Sequence, residues 1–182
     1  LCNLNGICLM DEANVETHGM GYGEKAASHD PRFRDPIVWR NLNMVERNKN
    51  HPAVLFWSHG NESGPGENFK AADDAVHARD ASRPTHYEGD WKASDVDSNM
   101  YPDVNGVWWH ANQKDAKRPY YICEYAHNMI NAMGNLKDYQ DAIESSDVVI
   151  GGTIWDWVDQ GLYKLNKDGV KIIGYGGDWG DK

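Results

Sequence analysis

The chain has 182 residues, 40% hydrophobic and 25% charged, enough for one soluble domain with a sizeable core. Its formal net charge of -10 at pH 7 repels phosphate backbones and anionic bilayers, which argues against nucleic acid and membrane surfaces as partners. No stretch approaches the length of a membrane span. Along the chain, short apolar runs end in acidic or aromatic residues and alternate with helical stretches. The first run is Ile7 to Met10, ending in Asp11 and Glu12. After a polar loop through His29, Asp30-Pro31 or Asp35-Pro36 opens a helix, with Asp as N-cap and Pro at the first helical position. Ile37, Val38, Leu42 and Val45 supply its apolar face. The second run, Ala53 to Trp57, leads into Ser58-His59-Gly60-Asn61-Glu62, and a helix is predicted near Glu67 to Arg79. Short runs follow at Thr85 to Tyr87 and near Asn99 to Tyr101. The fifth run, Tyr120 to Cys123, ends at Glu124. A helix is predicted from Leu136 to Glu144, and the sixth run, Val148 to Ile154, ends in Trp155-Asp156-Trp157.

Uninterrupted apolar runs suit strands buried on both faces, as in parallel sheets, and their alternation with helices gives an α/β class. Polar residues gather at the C-terminal ends of the runs, where (β/α)8 barrels and open doubly wound sheets place their sites. Six strands fall short of the eight a closed barrel needs. The expectation is either a different α/β fold or a barrel with two units missing.

Eight Trp and nine Tyr stand against three Phe, a balance that suits sugar-binding surfaces as well as core filling. The odd set Cys2, Cys8 and Cys123 matches neither a disulfide framework nor a zinc spacing. Free thiols in a reducing, cytoplasmic setting are the expectation. The first residues show neither a signal peptide nor an initiator Met, so the chain is expected to begin inside a longer polypeptide.

Glu62 and Glu124 each follow a buried strand, and two carboxylates facing one cavity can divide acid and base roles, as glycoside hydrolysis requires. Solvated loop residues are the alternative. Glu16 and His18, two apart in an extended segment, can reach one ion, and their oxygen-rich chemistry suits Mg²⁺ or Mn²⁺. Trp155 is placed to floor a sugar pocket, whereas Trp157 suits core packing equally well. His127 is placed to reach a substrate hydroxyl and Tyr101 to reach a carboxylate. The Gly-rich stretches Gly60 to Gly66 and Gly174 to Gly180 fit no phosphate loop and read as turns. No nucleophile elbow is present.

In order along the chain, Asp11 to Gly19, Arg47-Asn48, Asn50-His51-Pro52, Trp57-Ser58 and Gly60-Asn61-Glu62-Ser63-Gly64 are followed by Ser82-Arg83-Pro84 and Tyr87-Glu88-Gly89. Cys123-Glu124-Tyr125-Ala126-His127 and Trp155-Asp156-Trp157-Val158-Asp159-Gln160 complete the series. Together they resemble the large β-galactosidases of glycoside hydrolase family 2, over nearly the whole chain. They differ from the family's glucuronidases and mannosidases around both glutamates. The resemblance implies a (β/α)8 TIM barrel, here incomplete, with strands 3 to 8 present and the first two missing, as one partial catalytic domain over residues 1–182.

The resemblance also implies Glu62 as acid/base, Glu124 as nucleophile and Tyr101 as the tyrosine touching the nucleophile. It gives Mg²⁺ ligands at Glu16, His18 and Glu62, a 2-hydroxyl contact at Asn61, a 6-hydroxyl contact at His127 and an aromatic platform at Trp155. The family's Na⁺ site would lie largely outside this chain. Expected partners are a β-galactoside, the remainder of the parent polypeptide and a second copy in a homo-oligomer. Two positions depart from the family, His59 where Leu is usual and Ile130 where Gly is usual. Both are expected to lie close to the pocket and to bear on activity. A galactoside-binding module without turnover is the alternative, and the piece alone is expected to be poorly stable or inactive.

Overall fold

The computed structural model describes residues 1–128, 134–158 and 160–180. A one-turn helix α1 (Cys2–Asn5) precedes β1 (Leu9–Glu12), α2 (Arg34–Asn48), β2 (Val54–Ser58), α3 (Glu67–Arg79) and β3 (Thr85–His86). Then come β4 (Asp97–Met100), α4 (Val104–Ala111), β5 (Tyr120–Tyr125), α5 (Leu136–Glu144) and β6 (Val149–Ile154). A final hairpin joins β7 (Leu162–Leu165) to β8 (Lys171–Gly174).

The first six strands form two three-stranded parallel sheets, β1-β2-β3 and β4-β5-β6, each in chain order. Parallel pairing demands a crossover, and helices supply it in every connection but one. Between β3 and β4 only a 3-10 turn, Trp91–Ala93, intervenes. There the two sheets meet through a single parallel bridge, His86 to Val96, and the Asp95 amide donates to the Thr85 carbonyl at 3.0 Å. Among the described residues β1 pairs only with β2, and β6 only with β5, so the array is open.

Of the two predicted starts for the first long helix, Asp30-Pro31 is the one used. The Asp30 side chain accepts from the Arg32 amide and opens the 3-10 turn Pro31–Phe33, which runs directly into α2. Asp35 lies within the first turn of α2 and caps nothing. Ile37, Asn41, Met44 and Val45 form the buried stripe of α2, and Asn68, Phe69, Ala72, Asp73 and Val76 that of α3. These stripes meet Val54 and Trp57 from β2 and Tyr87 beyond β3, with the Phe69 and Tyr87 rings stacked at 4.0 Å. The second core is smaller: Val107 of α4, Tyr120, Ile122 and Tyr125 of β5, Ala142 of α5 and Val149 of β6.

Alternation along the strands sorts the side chains. Asp11, Trp57, Thr85 and Tyr87 face the helices, where Asp11 takes the Asn48 amide at 2.5 Å, Trp57 donates to Asp80 at 3.0 Å and Thr85 donates to Asp73 at 2.7 Å. Glu12, Ser58, His86 and Ser98 face the concave interior in one hydrogen-bonded row. The Ser58 hydroxyl donates to Glu12 at 2.7 Å and lies 3.0 Å from His86 Nδ1, and His86 Nε2 lies 2.9 Å from Ser98 Oγ. The last of these contacts spans the weak junction between the sheets.

Three elements were not anticipated from the sequence: α1, α4 and the β7–β8 hairpin. Asp103 caps α4 by accepting the Gly106 amide at 2.6 Å. The hairpin turns through Asn166 to Val170, where Asn166 Oδ1 accepts from the Asp168 and Val170 amides, both at 2.9 Å. It is antiparallel and stands outside the parallel array. The Gly174 to Gly180 stretch, read as a turn, contains the 3-10 segment Gly176–Trp179. No described helix is long and apolar enough to cross a membrane.

Candidate active site

The site collects at the C-terminal ends of the parallel strands. Beyond β2 the chain turns sharply at Gly60, where φ is +138 and a Cβ would stand 2.4 Å from the Val15 carbonyl oxygen, so glycine is required. The Asn61 amide donates to that same carbonyl at 2.8 Å, which lays Asn61 beside Glu16 in a parallel bridge. Glu62 follows with φ +35, a left-handed conformation rare for a residue with a side chain. Its amide donates to Glu88 Oε1 at 3.2 Å. Its carboxylate Oε2 lies 3.2 Å from His18 Nδ1 and 3.5 Å from Asn61 Nδ2.

Glu16, His18 and Glu62 each present one ligand atom, all within 4.8 Å of one another. Two carboxylates and one imidazole at that spacing fit a hard divalent cation such as Mg²⁺, which completes its shell with water. The convergence of Glu16 and His18 is as expected but its cause is not: the chain leaves the extended conformation at Thr17, where ψ is 26, and His18 opens the 3-10 turn His18–Met20.

Glu124 owes its direction to an irregularity in β5. Opposite β4, Asn99 pairs with Ile122 and Met100 with Glu124, so Cys123 is an extra residue in the ladder. The β6 side also slips between Ile122 and Tyr125. Tyr120, Ile122 and Tyr125 all pack in the helix-side core, so the phase changes across Cys123 and Glu124 and leaves Glu124 free to face the site. Tyr101, just past β4 with φ +49, donates its hydroxyl to Glu124 Oε2 at 2.7 Å, and its amide donates to the Glu124 carbonyl at 2.7 Å. Burial, and then the bond to Glu124 and that residue's charge, push the Tyr101 phenol well above its ordinary pKa. The phenol therefore stays protonated and acts as a donor to the carboxylate.

His127 stands between Tyr101 and Trp155, with ring centroids 6.5 Å away on each side, stacked on the tyrosine and edge-on to the indole. A cleft of about 270 Å³ opens beside Tyr101, Ala126 and His127. Trp155 is anchored by its amide on the Tyr125 carbonyl at 3.0 Å and leaves 42% of its surface exposed. Trp157 does not pack in a core, contrary to the alternative considered for it: it is 94% exposed. A second cleft of about 390 Å³, between Trp91, Trp109 and His110, lies at the opposite, N-terminal ends of β4 and β5 and contains none of the predicted site residues.

Two carboxylates that the sequence reading did not assign join the site. Burial raises the pKa of Glu88, and the charges of Glu62, Glu124 and Glu12 add to the rise, against the lowering effect of the Glu62 amide. Enclosure likewise raises Glu12, offset by the Ser58 hydrogen bond and reinforced by Glu124 and Glu16. Glu62 and Glu124 thus both act on Glu88, which brings the two within electrostatic reach of one shared neighbour. Both added residues were findable by the rule that singled out the first pair, since each stands at the end of a strand and shares the inward phase of its strand.

His59 is a correction. It does not line the pocket but points the other way, fully buried between the helices, with Nδ1 2.8 Å from Asn41 Oδ1 and Nε2 3.1 Å from Asp73 Oδ1. Asn41 and Asp73 provide the polar partners that a leucine there would not need. Ile130, the other departure, lies outside the described residues.

Comparison with known proteins places this geometry in a family. The model for the TIM barrel domain of glycosyl hydrolases family 2 matches residues 1–182. Among curated relatives, a β-galactosidase of Priestia megaterium is 41% identical over 100% of this chain and 18% of its own length. One from Vibrio cholerae is 40% identical over 100% of this chain and 19% of its own length. The chain therefore spans about a fifth of the length of the curated relatives it matches. Among solved structures, Bacteroides uniformis β-glucuronidase 2 superposes with a TM-score of 0.67 at 15% identity, covering 87% of this chain and 24% of the other. A β-galacturonidase from Eisenbergiella tayi gives 0.65 at 18% identity, covering 86% and 34%. At those identities the structural likeness concerns the fold alone. The match along all 182 residues settles the family: this chain belongs to the TIM barrel domain of the family 2 glycosyl hydrolases.

Proposed function

We propose that the chain carries the catalytic centre of a retaining β-galactosidase that hydrolyses terminal non-reducing β-D-galactosyl residues. The observation that carries the reading is the pairing of Glu124 with the Tyr101 hydroxyl at 2.7 Å, with Glu62 near enough that both carboxylates act on Glu88. The tyrosine donates to Glu124 Oε2 and so fixes the orientation of the carboxylate that attacks. In the first step Glu124 attacks the anomeric carbon while Glu62 protonates the leaving oxygen. In the second, Glu62 takes a proton from water, which releases the sugar from Glu124. Asn61 hydrogen-bonds the 2-hydroxyl, His127 the 6-hydroxyl, and Trp155 packs against the apolar face of the ring.

Glu16, His18 and Glu62 would hold Mg²⁺, or Mn²⁺, in their cluster. A bound cation there would supply positive charge beside Glu62 and fix its orientation. The choice of galactoside rests on identities of 40% and 41% to proteins named β-galactosidase, against 15% and 18% for structures named for uronic acid glycosides. The six parallel strands in chain order correspond to strands 3 to 8 of the barrel. Two further units, the remainder of a longer polypeptide, would pair with the open sides of β1 and β6. With His59 buried among helices, one of the three reasons to expect binding without turnover falls away, leaving Ile130 and the incomplete barrel.

The test is Glu124→Gln in the polypeptide that contains these residues, assayed on a nitrophenyl β-galactoside and the matching β-glucuronide. The wild type should prefer the galactoside, and the variant should lose more than about 1,000-fold in kcat. Near wild-type turnover in the variant would refute the nucleophile assignment. Preference for the glucuronide would refute the substrate class.

A further inference from the structure

We infer that Glu88 is a positioning residue for Glu62: by accepting the Glu62 amide, its carboxylate holds the left-handed turn that aims the Glu62 carboxylate into the site. This rests on the reading of Glu62 as acid/base and adds a residue to it.

The argument starts from one peptide unit. The plane between Asn61 and Glu62 carries the Asn61 carbonyl at one end and the Glu62 amide at the other. The Ser63 hydroxyl donates to that carbonyl at 2.9 Å, and Ser63 Oγ itself accepts from the Thr17 amide at 2.9 Å. At the other end the Glu62 amide meets Glu88 Oε1 at 3.2 Å. The plane is therefore clamped from both flanking segments, the one carrying Glu16 and His18 and the one following β3.

The clamp matters because Glu62 sits at φ +35, where a side chain crowds the backbone. Such a conformation persists only when its surroundings over-determine it. With one end of the plane released, the unit can rotate about the bonds on either side of it. Glu62 then relaxes to an ordinary backbone conformation, and its Cβ swings away from the direction that now brings Oε2 to His18 at 3.2 Å.

Glu88 is itself held in place to do this. Tyr87, one residue earlier, is fully buried, stacks on Phe69 at 4.0 Å and donates its hydroxyl to the Gly64 carbonyl at 2.7 Å. That bond ties the loop after β3 to the loop after β2 beyond Glu62. A Cβ on Gly89 would stand 2.6 Å from the Tyr87 hydroxyl, so the chain after Glu88 must be glycine to pass. Glu88 therefore acts through Glu62 and is not required to touch the sugar.

General acid help matters most when the leaving group is basic, and that sets the test. In the polypeptide containing these residues, kcat/KM is measured for an alkyl β-galactoside and a dinitrophenyl β-galactoside, with wild type, Glu88→Ala, Glu88→Gln and Glu62→Gln. Glu88→Ala should lose about 100-fold on the alkyl substrate, as for a misplaced catalytic group, and less than about threefold on the dinitrophenyl substrate. Glu88→Gln, which keeps an acceptor oxygen, should recover at least about tenfold of the loss. Equal losses on both substrates, no loss on either, or a Gln variant as impaired as Ala would overturn the inference. If Glu88→Ala does not fold, as judged by circular dichroism, Glu88→Asp is read by the same ratio of substrates and must show the same selective loss. Glu62→Gln separates the two levels of argument. If it lacks the dependence on leaving group, the acid/base reading fails and this inference with it. If it shows the dependence while Glu88→Ala does not, only the positioning role fails.

Discussion

The two three-stranded sheets are built alike and anchored differently. In the first, β1 to β3 rest on α2 and α3 through a core of twelve buried residues, with Trp57, Phe69 and Tyr87 at its centre. Polar ties reinforce it: Asn41, His59, Asp73 and Thr85 link strand to helix by direct hydrogen bonds. In the second, β4 to β6 rest on α4 and α5 through six buried residues. Each sheet delivers one of the two principal carboxylates. Glu62 comes from the sheet with the larger core and is fixed by backbone hydrogen bonds on both sides. Glu124 comes from the sheet with the smaller core and is fixed by an irregular ladder and one tyrosine. The difference teaches that the two carboxylates are aimed by different means: Glu62 by its own left-handed backbone, held at both ends of its peptide plane, and Glu124 by a redirected register with the left-handed Tyr101 beside it.

The largest effect expected from this contrast is on stability. Trp57→Ala should cost about 3–5 kcal/mol, since it empties the centre of the larger core and strips Asp80 of its indole donor. Ile122→Ala, in the smaller core, should cost about 2–5 kcal/mol and fall below Trp57→Ala. Urea unfolding of both variants checks the order, and the reverse order would contradict the contrast.

A pH effect of about 3 kcal/mol should come from the row that joins the sheets. Burial, helped by His59, holds His86 at a pKa of about 4, below the ordinary 6.5. Between those values the unfolded chain binds a proton that the folded chain refuses. Stability from His86 is therefore complete above about pH 6.5 and is lost as pH falls toward about 4. Denaturation midpoints between pH 7 and pH 4 should show this loss, and His86→Gln should flatten it.

Removing the support of the carboxylate in the second sheet should act on chemistry and not on fold. Tyr101→Phe should lower kcat by about 100-fold with an unchanged melting temperature, because it takes a charge-assisted donor from Glu124 alone. A fall in stability instead would move Tyr101 from the site to the scaffold. The smallest effect belongs to His59→Leu. It leaves Asn41 and Asp73 each short of a partner and should cost about 1–3 kcal/mol, while turnover stays within about threefold. A larger change in turnover would return His59 to the pocket.

Much of this was legible in the sequence. The runs ending at Glu62 and Glu124, the spacing of Glu16 and His18, and the helices Glu67–Arg79 and Leu136–Glu144 follow from local patterns and appear where expected. The helix α4 was missed although Pro102-Asp103 marks its start, because its Trp-rich sequence shows no clear apolar face. The hairpin was missed although Asp168-Gly169 between apolar residues is a turn signal. The direction of His59 was misjudged for a reason of parity: it shares the phase of Trp57, two residues earlier, and so faces the helices. The same parity points Glu88 inward with His86. What no pattern gives is the extra residue at Cys123, because a bulge depends on the ladders on both sides.

The central claim is that Glu124, supported by Tyr101, is the group that attacks the sugar. The most direct measurement is mass spectrometry of the polypeptide after inactivation with a 2-deoxy-2-fluoro-β-galactoside bearing a dinitrophenyl leaving group. The account predicts one covalent adduct, on Glu124. An adduct on Glu62, Glu88 or Glu12, or continued turnover with no adduct, would contradict it.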